Sequence, residues 1–367
     1  MPLSVLVLVQ GYPSDGDRYN LAYVHTRLLQ YRQAGLEPVV LNFGSDLSYR
    51  FEGIEVLSEA DWIRRAQEPD LLLSHAPNLR NHLRFLLGPG RRISRWIFFF
   101  HGHEVLLKAR YYPRPYPFDR QHGQLWQLAD QAYDRVKLAI WQRLIGGWLR
   151  QGRLQLVFVS HWMQRAFLDC VGLEPSLVEA NSAIIPNSIH PVFLASSWQP
   201  REPFAADFVT IRPLDNPKYA VDQVRELALA HPQLRFDVYG RGRFFAHYPP
   251  PPNLSWFDRF LKPEEMVELL GRYRAALMPT RLDAQGVMMC ELASFDMPVL
   301  TSDLPICREM LAGFPRVTYL EQDPDLNKSL QELATLPPNL NRTRFAPEVT
   351  IAQELQLIES FGRPKVW

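Results

Sequence analysis

The sequence predicts an α/β chain of two doubly wound domains with parallel sheets facing a central cleft. Length is the first reason: 367 residues exceed what one ordinary core encloses, and two globular units is the natural division. The second is alternation. Short β-rich apolar runs at 3–9, 39–42, 71–74, 96–100 and 156–160 have helical patterns between them, which reads as parallel strands covered on both faces. The third is a restart: after a turn-rich stretch at 190–206 the alternation begins again with 208–212, 235–239, 275–279 and 299–302. The expected domains are therefore 1–195 and 206–345, with a last helical pattern inside 346–367 that can return to the first domain.

Composition narrows the function. Lys and Arg total 40 against 39 acidic residues, so a net charge of +1 provides no broad basic field, and no nucleic-acid partner is expected. Cys170, Cys290 and Cys307 are an odd number without a C-x-x-C pair, against both a disulfide framework and a structural zinc. The opening run 3–9 ends at once in Gly11 and Pro13, a strand and turn rather than an export signal, and no stretch reaches the ~18 apolar residues of a membrane span. A cytoplasmic location follows as the expectation. The helical pattern at 124–153 carries Trp126, Trp141 and Trp148 beside Arg135, Lys137, Arg143 and Arg150, a surface suited to peripheral contact with anionic lipid headgroups. Its apolar positions Leu128, Ala132, Val136, Ile140 and Leu144 equally suit a helix packed on a sheet.

Chemistry concentrates in the second half. The apolar run 275–278 enters the loop Pro279-Thr280-Arg281-Leu282-Asp283-Ala284-Gln285-Gly286, and then a helix that carries Glu291 in its early turns. Ligands of open α/β sheets sit at this end of the strands. A helix starting near Gly286 leaves the N–H groups of Gly286 and Val287 free for a phosphate, and glycine lets it approach. Asp283 and Glu291, eight residues apart, can accept hydrogen bonds from sugar hydroxyls; alternatively Asp283 caps the helix and Glu291 is a buried, paired acid. Arg212 and Lys218 stand in the loop after the run 208–211, able to neutralise a diphosphate by fork and point charge, or else to be solvated surface cations. Gly240, Arg241 and Gly242 follow the run 235–239 and bring a third flexible loop to the same sheet edge.

Together these residues resemble the retaining glycosyltransferases of family four, with their two Rossmann-like domains of GT-B architecture. Arg212 with Lys218, Gly240 with Gly242, and Asp283-x7-Glu291, which is similar to the family's E-x7-E pattern, carry the likeness. Val159-Ser160, Ile185-Pro186-Asn187-Ser188, Pro298-Val299 and Ser302-Asp303 extend it over nearly the whole chain. The first acid is one methylene shorter here, and Asp296 stands where the family usually has a glycine, a position in which Asp tolerates a left-handed turn.

The resemblance implies a nucleotide diphosphate sugar as co-substrate, a glycan or lipid-linked acceptor, and no cofactor or metal. It gives Arg212 and Lys218 to the departing diphosphate, Asp283 to the transferred sugar, and Glu291 to the ribose diol. Gln285, Gly286, Val287, Gly240, Arg241 and Gly242 then surround the nucleotide and diphosphate, with backbone near Leu261 on the base. In the first half it implies that His101, in Phe98-Phe99-Phe100-His101-Gly102-His103-Glu104, faces the donor sugar; His103 fits a structural hydrogen bond. Gly11 and Tyr19 fall on the family's acceptor side, and His25 and Arg27 serve there or in packing. Two other functions remain open: a nucleotide-sugar epimerase of the same fold, and a sugar-nucleotide binding protein without catalysis.

Overall fold

Two parallel-stranded sheets organise the chain in a computed structural model, which describes residues 3–15, 21–65, 68–119 and 123–362. Tyr19, one of the expected acceptor residues, lies outside the described residues. The first sheet uses β1 (Ser4–Val9), β2 (Glu37–Asn42), β3 (Tyr49–Phe51), β4 (Ile54–Leu57), β5 (Leu71–His75), β6 (Trp96–Phe100), β7 (Leu154–Phe158) and β8 (Ser182–Ile184) in the order β3-β4-β2-β1-β5-β6-β7-β8. All neighbours are parallel except β3, which pairs antiparallel with β4 at the edge. The second sheet is wholly parallel. It contains β9 (Ala206–Ile211), β10 (Phe236–Tyr239), β11 (Leu254–Phe257), β12 (Tyr273–Met278), β13 (Val299–Ser302) and β14 (Val317–Leu320), in the order β11-β10-β9-β12-β13-β14.

The buried strands are those that read as apolar runs. LLLSH in β5 and WIFFF in β6 are buried at every position, as central strands covered on both faces must be. The strands less visible in the sequence, β3, β4, β11 and β14, sit at or beside sheet edges; β14 is half-buried throughout.

By internal contacts the chain forms two units: Met1–Leu107, Asp130–Asn187 and Thr350–Trp367 in one, Lys108–Ala129 with Ser188–Val349 in the other. The segment 108–119 joins the second unit because Tyr116 is buried in that unit's core, with its hydroxyl donating to Asp222 at 2.8 Å. The stretch 190–206, expected as a linker, is instead fastened along the second unit. Phe193 is fully buried, Trp198 N–H donates to Phe295 C=O at 2.7 Å, and Arg201 N–H donates to Gly271 C=O at 2.7 Å.

The last helix, Pro347–Gly362, completes the first unit. Ile351 and Ile358 enter the same core cluster as Val5, Val7 and Leu28. Glu354 accepts from the buried Arg27 at 2.8 Å, and Arg27 also donates to Asn187 at 2.8 Å. One guanidinium thus ties the last helix to the end of the segment 130–187 within this unit.

The long helix Gln124–Arg150 corrects the reading of its faces. Trp141 and Trp148 are buried, Trp148 edge-on to Trp96 with ring centroids 4.9 Å apart. Lys137 is buried too, paired with Asp134 at 2.7 Å. Leu128 and Val136, expected to pack, are exposed, as is Trp126. No helix among the described residues is long and apolar enough to cross a membrane.

Candidate functional site

In the second sheet strand order reverses between β9 and β12, and at such a switch point the two following loops diverge and leave a crevice. The loop after β9 carries Arg212 and Lys218; the loop after β12 carries Asp283, Gln285 and Gly286. They are stitched together. Arg281 N–H donates to Lys218 C=O at 2.7 Å, and the Thr280 hydroxyl donates to the same carbonyl at 2.9 Å. The Arg281 guanidinium is occupied by Asp222 at 2.8 and 2.6 Å, so it serves the scaffold and leaves Arg212 and Lys218 as the loop's cations.

Those two cations share a ring. The Arg212 guanidinium lies 5.2 Å from the Tyr219 centroid and the Lys218 ammonium 4.6 Å from it. Arg212 is 4 % exposed, and its Nε and one Nη are buried without any hydrogen-bond partner. Burial lowers its pKa from the ordinary value, opposed by the nearby charge of Asp283. A buried cation with unused donors is costly unless an anion meets it.

The third expected loop touches the first. Leu214 N–H donates to Arg241 C=O at 3.0 Å, and Asp215 accepts from Arg243 N–H at 2.6 Å. Both glycines are required by close approach. A Cβ at Gly240 would stand 1.7 Å from the Arg212 carbonyl oxygen, and one at Gly242 would stand 2.7 Å from the Asp215 carboxylate. Arg241 is exposed, its guanidinium 5.6 Å from the Phe260 ring centroid. Leu261 follows as a buried residue, and no described residue hydrogen-bonds its backbone.

The helix Val287–Ser294 begins where the sequence placed it, with Gly286 left-handed (φ 73°) as its N-cap. The N–H groups of Gly286 and Val287 donate to no described residue. Asp283 does not cap this helix. Its carboxylate accepts from Ala284 N–H at 2.8 Å and Gln285 N–H at 3.2 Å, bracing the turn just before it, and the Gln285 side chain is buried there. Glu291 is buried on the helix and accepts from His190 N–H at 3.1 Å; burial lifts its pKa to about 7, opposed by that N–H. Asp296 has φ 66° and binds Arg316 at 2.9 Å, so aspartate does hold the left-handed turn.

In the first unit, strand order reverses between β1 and β5, and Gly11 lies in the loop after β1. Beside it, Gln10 accepts from Asn81 at 2.8 Å. His101 follows β6, where Glu104 braces the turn by accepting from His101 N–H at 2.9 Å and Gly102 N–H at 2.6 Å. Burial, with the charge of Arg27 adding, pushes His101 down to about 3, so its ring is neutral at ordinary pH. His75, at the end of β5, lies 3.4 Å from it (Nδ1 to Nε2). His103 is exposed. His25 is tied to Tyr12 at 2.7 Å and Glu52 at 3.1 Å, and Arg27 to Glu354; both have packing roles.

Sequence reasoning passed over Tyr219, His75 and Asp215. Tyr219 and Asp215 stand beside or within the loop of Arg212 and Lys218, and His75 directly follows the apolar run 71–74, but no spacing gave any of them a role.

No protein-family model matches the chain, and no curated protein matches its sequence. Solved structures match over almost all of it. Sucrose-phosphate synthase from Thermosynechococcus elongatus superposes with TM-score 0.65 at 10% identity, covering 98% of both chains. A glycosyltransferase from Rickettsia africae gives 0.65 at 11%, again over 98% of both. Anabaena HepE, solved with UDP and glucose, gives 0.63 at 14%, over 98% of this chain and 100% of that one. At such identities the likeness is one of fold, and the expected class, two Rossmann-like α/β domains with parallel sheets, is the fold observed.

Proposed function

We propose that the protein is a retaining, metal-independent glycosyltransferase that moves a sugar from a nucleoside diphosphate sugar to an acceptor hydroxyl in the synthesis of a polysaccharide or surface glycan. The observation that carries this is Arg212: a buried guanidinium with unused donors at the sheet's switch point, sharing Tyr219 with Lys218. As the sugar–phosphate bond breaks, negative charge grows on the diphosphate. Fixed cations and open helix amides at Gly286 and Val287 stabilise that charge more than they stabilise the intact donor. The fold shared with a structure that holds UDP and glucose supports the same reading.

Roles follow from the chemistry of each group. Glu291 accepts from the ribose diol and Asp283 from hydroxyls of the transferred sugar. Gly240, Arg241 and Gly242 line the diphosphate's side of the loop, and the free backbone at Leu261 meets the base. The acceptor hydroxyl attacks the anomeric carbon on the donor's front face as the bond to phosphate breaks there. The departing phosphate oxygen takes the hydroxyl's proton, so neither a protein nucleophile nor a protein base is required and His101 orients the sugar. Gly11 and Tyr19 belong to the acceptor side. We further propose that a lipid-linked acceptor brings the protein to a membrane surface on the cytoplasmic side through the exposed side chains Leu125, Trp126, Leu128, Tyr133 and Val136 of the long helix.

A thermal-shift screen with nucleoside diphosphates and their sugars tests the donor site, since a ligand bound only by the folded state raises Tm. Wild type is expected to be stabilised and Arg212→Ala to lose that response. Lys218→Ala should keep donor binding but lower kcat, by about 2 to 4 kcal/mol in barrier if it acts as a lost oxyanion donor. Formation of an epimer from donor alone would favour an epimerase; donor binding without transfer or hydrolysis would favour a binding protein.

A further inference from the structure

The two histidines at the ends of β5 and β6 have a proton arrangement that the structure constrains. His75 is 1 % exposed, its ring stacked 4.3 Å from Phe99, and its Nδ1 lies 3.4 Å from Nε2 of His101. Its other nitrogen, Nε2, is buried with no hydrogen-bond partner. Both rings are neutral, because burial, with the Arg27 charge adding, holds each well below the ordinary histidine range.

Between two neutral imidazoles one nitrogen must donate and the other accept. Were His101 the donor, His75 would accept at Nδ1 and carry its own proton on Nε2, where a buried N–H would face no acceptor. With His75 as donor, only a lone pair is left there. Orphaned buried N–H groups are rarer than under-satisfied acceptors, so His75 donates. His101 then accepts at Nε2 and must carry its proton on Nδ1. That nitrogen pairs with no described residue and is not among the buried atoms without a partner.

We propose that His75 is a positioning residue that locks His101 in the Nδ1–H tautomer, so that His101 offers a hydrogen-bond donor and no basic nitrogen. The hydrogen bond made by one ring nitrogen sets the state of the other. The matching ligand group is an acceptor oxygen, such as a sugar hydroxyl oxygen. Only this last step rests on the glycosyltransferase reading; the tautomer itself does not. A consequence is that His101 cannot deprotonate an acceptor: Nδ1 already holds a proton and Nε2 is engaged.

The test is nitrogen-15 NMR of histidine-labelled protein without ligand, which reads the protonated nitrogen of each ring. In wild type the His101 proton is expected on Nδ1. His75→Asn, whose side-chain amide can replace the Nδ1–H donor, should keep it there. His75→Phe, which preserves the stack on Phe99 but donates nothing, should move it to Nε2. A wild-type proton on Nε2, or a Phe variant that still holds Nδ1–H, overturns the proposal. In turnover, the Phe variant should lose at least tenfold in kcat with KM little changed and the Asn variant should recover it; an unchanged Phe variant overturns the positioning role. Failure of donor binding in the thermal-shift screen, with the tautomer as expected, would count against the glycosyltransferase reading alone.

Discussion

A single carboxylate, Glu291, links donor binding to pH. Burial lifts its pKa to about 7, so at neutral pH both forms are populated. A ribose diol donates hydrogen bonds and is held by the ionised form, so affinity for a nucleoside diphosphate should rise between about pH 6 and about pH 8. Glu291→Gln should bind more weakly at the upper end and lose that dependence, read by titration calorimetry. Stability runs the other way. The folded pKa lies above the ordinary 4.5, so the stabilising contribution is complete below that value and is lost as pH rises through about 7. The total is about 3 kcal/mol. Glu291→Gln should therefore raise Tm at pH 8 and leave it nearly unchanged at pH 5; the same Tm as wild type at pH 8 would refute the burial argument. Arg212, Lys218 and Asp283 were legible in the sequence because each follows an apolar strand, and strand ends set the loop's position. Asp283's bonds were not legible. Whether it caps the helix or the turn before it depends on Gly286 being left-handed (φ 73°), a backbone conformation that the spacing of Asp283 and Glu291 does not encode.

Among the elements, the long helix shows where sequence patterns fail. It carries two apolar stripes, each with helical spacing, and periodicity alone cannot say which meets the sheet. Leu138, Trp141, Ile145, Trp148 and Leu149 are the buried set, because the large indoles fill the space beside Trp96 and Phe98. The other stripe, with Leu125 at 85 % and Leu128 at 61 % exposure, faces out. The two should respond differently to mutation. Trp141→Ala should destabilise the protein by about 3 to 5 kcal/mol through its cavity, measured by urea unfolding. Leu125→Ser with Leu128→Ser should leave stability within about 0.5 kcal/mol. That double variant should also reduce co-sedimentation with vesicles containing anionic phospholipid; equal sedimentation of wild type and variant would remove the membrane proposal. Edge strands escaped notice for a related reason. Val317–Leu320 is half-buried at all four positions, so it has neither the apolar run of a central strand nor a clean alternation.

The whole molecule combines two units with opposite responses to acid. The first holds His75, His82 and His101 as buried neutral rings, His82 and His101 near 3 and His75 well below its ordinary value. A histidine whose folded pKa is depressed stabilises above its unfolded value of about 6.5 and loses that stability as pH falls. Three of them cost about 4 kcal/mol per pH unit below that point. The second unit's Glu291 gains stability over the same range. Calorimetry at about pH 7.5 and about pH 5.5 should show one transition move to lower temperature while the other holds; a joint, unmoved transition would contradict the burial of the histidines.

Arg27 adds a consequence for biosynthesis. Its carboxylate partner, Glu354, arrives on the ribosome more than three hundred residues later, and Ile358 of the same core cluster comes after that. Nascent domains usually finish in the order in which they are made. Here Ser188–Val349 can close on Lys108–Ala129 while residues 1–107 and 130–187 still wait for the helix Pro347–Gly362, so of these two units the one begun earlier is the later to reach its native form.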